Sequence, residues 1–341
     1  MYPLDRGRWG PTVRISHLRD ELATLAALDV IAGYRGPRRL ALARYAASGR
    51  LRGLRGIYVE SSTFLPAEAD VAFLGLARAL RIPVVTYVRD AYQLFPDEYP
   101  RDSVRRRIAA AAFRPALRAL RAVSSRLAFP TRGLAEAVLG RDAGEALLLP
   151  PGSPRPVSVP WEPTANRFLF VGDARLPAQG GSRLVAAVER ARDQGAAVEL
   201  TVVSRPGQAP SPPHPPWLRI ERAEGAAIHA LLPQVVATVI PRPIGAYNDL
   251  ALPVKLFDYL SYARPLVVTD CREQARIVRD ADAGLVTGDT VDEIADGLRR
   301  VVAAGPDELA RWSANASAAA ERASWAERAA RIVRELTELR S

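Results

Sequence analysis

Short apolar runs alternate with helix-length amphipathic segments along most of this chain, and that alternation restricts it to parallel α/β architecture. A strand covered on both faces of a parallel sheet reads as an unbroken apolar run, and its crossover helix fills the stretch before the next one. In the first half, strands are expected near Leu28–Ala32, Gly56–Glu60, Pro83–Val88 and Arg126–Phe129. Helices are expected at Thr12–Leu25, Arg38–Ser48, Asp70–Leu80, Asp102–Ser125 and Gly133–Leu139. The opening MYPLDRGRWGP does not read as the buried strand that usually begins such a domain.

The second half restarts the pattern, with strands at Arg167–Val171, Val198–Ser204, Leu218–Glu221, Val236–Ile240, Pro265–Thr269 and Gly284–Thr287. Helices fall at Ser182–Gln194, Ala226–Leu232, Pro253–Tyr262, Cys271–Asp280 and Val291–Ala303, then at Pro306–Ala320 and Trp325–Leu339. Asp270 with Glu273, and Thr290 with Glu293, have the spacing of capping boxes. Between the halves lies LLLPPGSPRPVSVPWEP, Leu147–Pro163, whose six prolines exclude helix and central strand and mark a stiff linker. The fold expected is therefore α/β, two doubly wound domains, with residues 1–155 and 156–310 as their extents.

No apolar run is long enough to span a bilayer, one cysteine (Cys271) cannot make an internal disulfide, and three histidines cannot build a structural zinc site. A cytoplasmic setting is expected. Charge is divided unevenly: residues 1–150 carry 24 Arg against 14 acidic side chains, which is the whole of the +10 net charge. Of 47 cationic side chains only Lys255 is a lysine.

That lysine lies in PRPIGAYNDLALPVKLFDYLSYARP, which follows a strand, and open parallel sheets bind ligands at the carboxyl ends of their strands. Pro253 suits a first helical turn, and Lys255 and Asp258, three apart, share one face of it. Free backbone N–H groups beside an ammonium suit a diphosphate, and a carboxylate one turn on suits a ribose diol. A salt-bridged i,i+3 pair on an ordinary helix surface would use the same two residues. Gly172–Gly181 and Ser204–Gln208 are expected at the same sheet edge.

The segment NDLALPVKLFDYLSYARPLVVTD resembles the donor-site signature of family 4 glycosyltransferases with the GT-B fold, in the variant LPxKxxEYxAxGxPVV. The likeness extends over Phe168–Val302 through a VG turn and EQARIVRDADAGLV, and FPTRGLAEAV with LLLPPGSP is similar to the family's hinge. The resemblance implies two Rossmann-like domains facing across a cleft, with residues 311–341 returning to the first. It implies a nucleotide-diphosphate sugar as donor, no cofactor, no metal, and transfer with retention to a saccharide or lipid-linked acceptor. Of the family's E-x7-E pair, the second glutamate falls on Asp258 and the first on Leu250, for which Asp249, Asn248 or nearby backbone amides could substitute. In VGDARLPAQGG, after Gly172, Arg175 matches the family's arginine, but Gln179 stands where its lysine would be, leaving Arg205 or Arg183 to compensate. Lys255 and Arg175 would then stabilise the leaving diphosphate.

The acceptor is expected on the first domain, at Arg89 and Asp90 in TYVRDAYQLF and at the loop Asp5–Thr12, including Gly10; Glu60 and Ser61–Ser62 are further candidates. Arg89 and Asp90 could equally be a structural pair. His17 sits in a helical period and reads as a packed or helix-surface histidine. Along Asp102–Ser125, Arg107, Arg114, Arg118 and Arg121 form one stripe if Pro115 does not break the helix, suited to an anionic membrane surface or simply to solvent. No basic segment has the interleaved aromatics of a nucleic-acid binder. Two other functions fit such a chain: a sugar-nucleotide epimerase, which would want more acid and base groups, and a non-catalytic relative, which Leu250 and Gln179 would suit.

Overall fold

The computed structural model describes residues 10–61, 68–161 and 166–341. The chain forms two compact units, Met1–Gly152 with Trp325–Ser341, and Ser153–Ser324. The first is built on four parallel strands in the order β1 (Ile57–Glu60), β2 (Val84–Tyr87), β3 (Arg126–Phe129) and β4 (Leu147–Leu148). Side chains alternate across such a sheet, and β2 shows it. Val85 and Tyr87 face a cluster with Leu18 of α1 (Gly10–Leu25) and Ile332 of α11 (Trp325–Glu338). Val84 faces another with Leu74 of α3 (Glu68–Ala79) and Leu120 of α4 (Val104–Val123). The remaining helices of this unit are α2 (Arg35–Ala47) and α5 (Arg132–Leu139).

The second unit has six parallel strands in the order β10-β9-β8-β5-β6-β7. They are β5 (Arg167–Val171), β6 (Glu199–Val203), β7 (Leu218–Glu221), β8 (Val235–Ile240), β9 (Leu266–Thr269) and β10 (Gly284–Thr287). Helices α6 (Gly181–Asp193) and α9 (Val291–Ala303) bury Leu184, Val188, Ile294 and Leu298 on one face of the sheet. Helices α7 (Val254–Ser261), α8 (Arg272–Ala281) and α10 (Pro306–Arg322) bury Leu256, Leu260, Val278 and Ala316 on the other. The strand order reverses between β5 and β8, so the chain leaves those neighbours in opposite directions and opens a crevice at their carboxyl ends.

Several sequence expectations change. Leu28–Ala32 is not a strand: Leu28 and Val30 are 41% and 51% exposed, so that apolar run has no sheet to cover it. Leu147–Leu148, the start of the linker, instead adds the short strand β4 beside β3, ahead of the first proline. Ala226–Leu232 belongs to a 3₁₀ stretch, Gly225–Gln234, that holds Pro233. Thr290 and Glu293 form their capping box, but Cys271 takes the N-cap of α8 and Asp270 accepts from Arg279 at 2.8 Å instead. Pro115 lies inside an unbroken α4. Helix α10 packs on α7 and α8 within the second unit, and only α11 joins the first, where the resemblance implies a return from residue 311.

Candidate nucleotide site at the switch point of the second sheet

At the carboxyl end of β5 the backbone turns through Gly172, whose φ of +148° suits a residue without a side chain. A Cβ there would collide with Gln179 Oε1 and stand 2.9 Å from Lys255 Nζ. The turn is tightened by Asp173, whose Oδ1 accepts from the amides of Arg175 (3.0 Å) and Leu176 (3.2 Å). Further on, Gly180 at φ +72° opens α6, and a Cβ on it would strike the backbone carbonyl of Pro241 beyond β8. The loops after β5 and β8 therefore touch through main chain. Gly180→Ala is expected to cost about 2 kcal/mol or more in urea unfolding, because backbone on both sides cannot yield.

Lys255 is the second residue of α7, with Pro253 at the N-cap position rather than inside the first turn. Its ammonium donates to Gln179 Oε1 at 2.8 Å and lies 4.6 Å above the Phe170 ring. Burial, helped by Arg242, lowers its pKa to about 7 against the pull of Asp173 and Asp258. Burial likewise raises Asp258 to about 6, opposed by Lys255. No salt bridge joins the two among the described residues, so the surface i,i+3 pair is not formed. The helix is tied to the sheet by Tyr259, whose buried hydroxyl accepts from the Val171 amide at 2.7 Å.

The remaining candidates take varied positions. Arg175 is exposed and donates to the Gly207 carbonyl at 3.3 Å, while Arg205 pairs with Glu224 at 3.2 Å and Arg183 with Asp289 at 2.8 Å. Asn248 is buried, donates to the Pro243 carbonyl at 2.8 Å and accepts from Arg242. Asp249 serves α8: its Oδ1 accepts from the Arg272 amide at 3.1 Å and its carbonyl from Glu273 at 3.2 Å. Leu250 is buried. Sequence inspection overlooks Arg242, which follows Pro241, donates to Asn248 and to the Ala251 carbonyl (3.1 Å), and supplies positive potential at Lys255. Its only signal is its position two residues past the end of β8.

In the first unit Arg89 and Asp90 form a 3.0 Å ion pair just beyond β2, with Asp90 buried and Arg89 17% exposed. Gly10 is the first residue of α1, whereas Asp5–Trp9 and Ser62 lie outside the described residues. His17 stacks on Trp325, ring centroids 5.5 Å apart, as a packed histidine. On α4, Arg107, Arg114, Arg118 and Arg121 are all exposed, and Arg121 pairs with Asp142 at 2.7 Å.

Solved structures match over nearly the whole chain. Sucrose-phosphate synthase from Thermosynechococcus elongatus aligns with 99% of this chain and 94% of its own, at TM-score 0.65 and 13% identity. The two-unit α/β plan is that of the GT-B fold. An α,α-trehalose-phosphate synthase (UDP-forming) from Burkholderia xenovorans, in complex with glucose-6-phosphate, covers 94% of this chain and 80% of its own, at 0.58 and 12%. An E. coli trehalose-6-phosphate protein bound with UDP-2-fluoro glucose covers 90% and 80%, at 0.60 and 11%. At such identities the likeness is one of fold. No family model and no curated protein matches the chain.

Proposed function

We propose that this chain is a glycosyltransferase that moves a sugar from a nucleotide diphosphate to a hydroxyl acceptor, with retention and without a metal. The reading rests on one observation: the chain's single lysine is held at the opening turn of α7, beside the Gly172 turn, where the strand order reverses. A diphosphate there would meet an ammonium and helix-terminal N–H groups, and would displace Gln179 from Lys255. As the sugar–phosphate bond breaks, negative charge grows on the leaving oxygen, and Lys255, with Arg242 behind it, would stabilise that charge. Asp258 would accept from the ribose hydroxyls, and Arg175 and Arg205 would swing from their carbonyl and carboxylate partners toward the phosphates. Asn248, Asp249 and Leu250 would shape the sugar pocket by backbone and fixed dipoles. The acceptor would lie on the first unit, near Arg89 and Asp90.

Incubation with UDP-, GDP- and ADP-sugars, with saccharide and lipid-linked acceptors, tests this; donor consumption with release of the nucleoside diphosphate is the expected result. A second reading, binding without transfer, draws on Gln179 in contact with Lys255 and on the apolar Leu250. Donor binding with no turnover across the panel would establish it instead.

A peripheral station on an anionic membrane surface belongs to the same proposal. Among the described residues Arg107, Arg114 and Arg118 have no ion-pair partner, and Val104 and Ile108 beside them are 63% and 62% exposed. Cations flanking exposed aliphatic side chains suit the interface of an anionic bilayer. The protein should sediment with vesicles containing anionic lipid and not with neutral ones, and 0.5 M salt or the triple change of these arginines to glutamine should release it. Equal partition to both vesicle types would refute this.

A further inference from the structure

Away from the switch point, the first unit carries a recess of about 130 Å³ between α4 and α5. Its floor is apolar: Phe113 and Leu117 of α4, Val138 and Leu139 of α5, and Leu94 from the turn after β2. Its rim is cationic. Arg114, Arg118 and Arg121 recur with Leu117 at helical spacing on one face of α4, and all three are exposed. Arg121 is paired with Asp142 at 2.7 Å, whereas Arg114 and Arg118 have no ion-pair partner among the described residues. Among those residues no acidic side chain lines the recess.

The floor and the rim select the occupant together. A cavity of roughly this size lined by leucine and phenylalanine admits a benzene-sized apolar group and gives water no partner. Two uncompensated guanidiniums one turn apart favour a dianion, and their planar forks match phosphate oxygens in pairs. A phosphate monoester carries about two negative charges at neutral pH. An inorganic anion alone would leave the apolar floor wet, and a neutral alkyl group would leave the arginines unused. Arg118, Arg121 and Leu139 lie in the last turns of helices that lead toward the amino ends of β3 and β4. Open parallel sheets bind their substrates at the opposite, carboxyl ends, so the recess is not placed to hold a reactant.

We infer that Arg114, Arg118, Leu117 and Val138 form a binding site for a phosphate monoester with a small apolar body, its phosphate on the two guanidiniums and its alkyl or aryl group in the recess. The site is separate from the diphosphate site on the second unit and does not rest on the transferase reading, so either can fail alone. It shares Arg114 and Arg118 with the membrane-facing stripe of α4, but only the ester needs the apolar recess.

Isothermal titration calorimetry of the full chain, with hexyl phosphate, phenyl phosphate, inorganic phosphate and hexanol as separate probes, tests this. At least one ester should bind about tenfold or more tightly than either inorganic phosphate or hexanol. Val138→Trp fills the recess and keeps every arginine; it should weaken ester binding about tenfold and leave inorganic phosphate unaffected. Arg114→Gln combined with Arg118→Gln should weaken the esters by about as much. Near-ultraviolet circular dichroism reports whether each variant is folded, and the arginine pair, on an exposed helix face, decides the matter should Val138→Trp not fold. Sedimentation with phosphatidate vesicles then assigns the source of the ester: loss of vesicle binding in Val138→Trp marks a lipid headgroup, retention marks a free monoester, and both support the site. No ester binding, equal affinity for hexyl phosphate and inorganic phosphate, or ester affinity unchanged in either folded variant would overturn the proposal.

Discussion

Lys255→Ala should lower sugar transfer by about two to three orders of magnitude, the usual result of deleting one preorganised partner of a developing negative charge. The loss should fall mainly on kcat, because the charge on the leaving oxygen is greatest in the transition state. Lys255→Arg should not restore it: a planar guanidinium cannot occupy the space between Gln179 Oε1, at 2.8 Å, and the Phe170 ring, at 4.6 Å, as a compact ammonium does. Arg242→Gln should have a smaller effect, since Arg242 is fixed to Asn248 and Ala251 and acts on the site by potential. Steady-state kinetics at saturating donor separate these cases. Unchanged kcat in Lys255→Ala would remove the lysine from the chemistry.

The same substitution position should reveal a cost to the empty protein. Burial holds the Lys255 pKa at about 7, against 10.5 for an ordinary lysine. Between those values the unfolded chain keeps a proton that the folded chain has released, so stability rises with pH across that window and is lowest, from this group, below about pH 7. Lys255→Met keeps the stem and removes the charge. It should therefore raise the unfolding free energy at pH 7 by on the order of 2 kcal/mol and flatten the rise between pH 7 and 10. Asp258 acts oppositely: held at about 6 against 3.8, it is protonated in the folded chain where the unfolded chain is not, so its penalty sets in as pH rises through that interval. Urea unfolding of the parent and Lys255→Met at several pH values measures both trends. A loss of stability in Lys255→Met would mean that the ammonium is structural.

Which parts of this could be read from the residues alone follows from how far each contact reaches. Strands such as Arg167–Val171 and Val235–Ile240 are legible because burial on both faces leaves an apolar run. Leu28–Ala32 has the same look and fails, because its cover would have to come from a neighbouring strand that local sequence does not specify. The capping box at Thr290 and Glu293 is local and forms, whereas α8 is capped from Asp249, 23 positions earlier in the chain than Arg272, which no spacing rule reaches. The site divides in the same way. Lys255 and Asp258 share a helix face by spacing, but the partner Lys255 takes is Gln179, 76 residues away, and Arg242 enters only because two loops meet at the Gly180–Pro241 contact. Arg14 and Glu60, 46 residues apart, are joined by topology alone.

Because Lys255 is the only lysine, uniform ¹³C-lysine labelling places a single side-chain ε-carbon signal in the spectrum of the whole protein. Its titration with and without inorganic pyrophosphate, UDP or GDP reads the claimed diphosphate site without reference to any acceptor. A midpoint near 7 is expected in the free protein, moved upward by about one unit or more when a diphosphate settles on the ammonium. A midpoint at the ordinary lysine value of 10.5, untouched by any of the three, would contradict it.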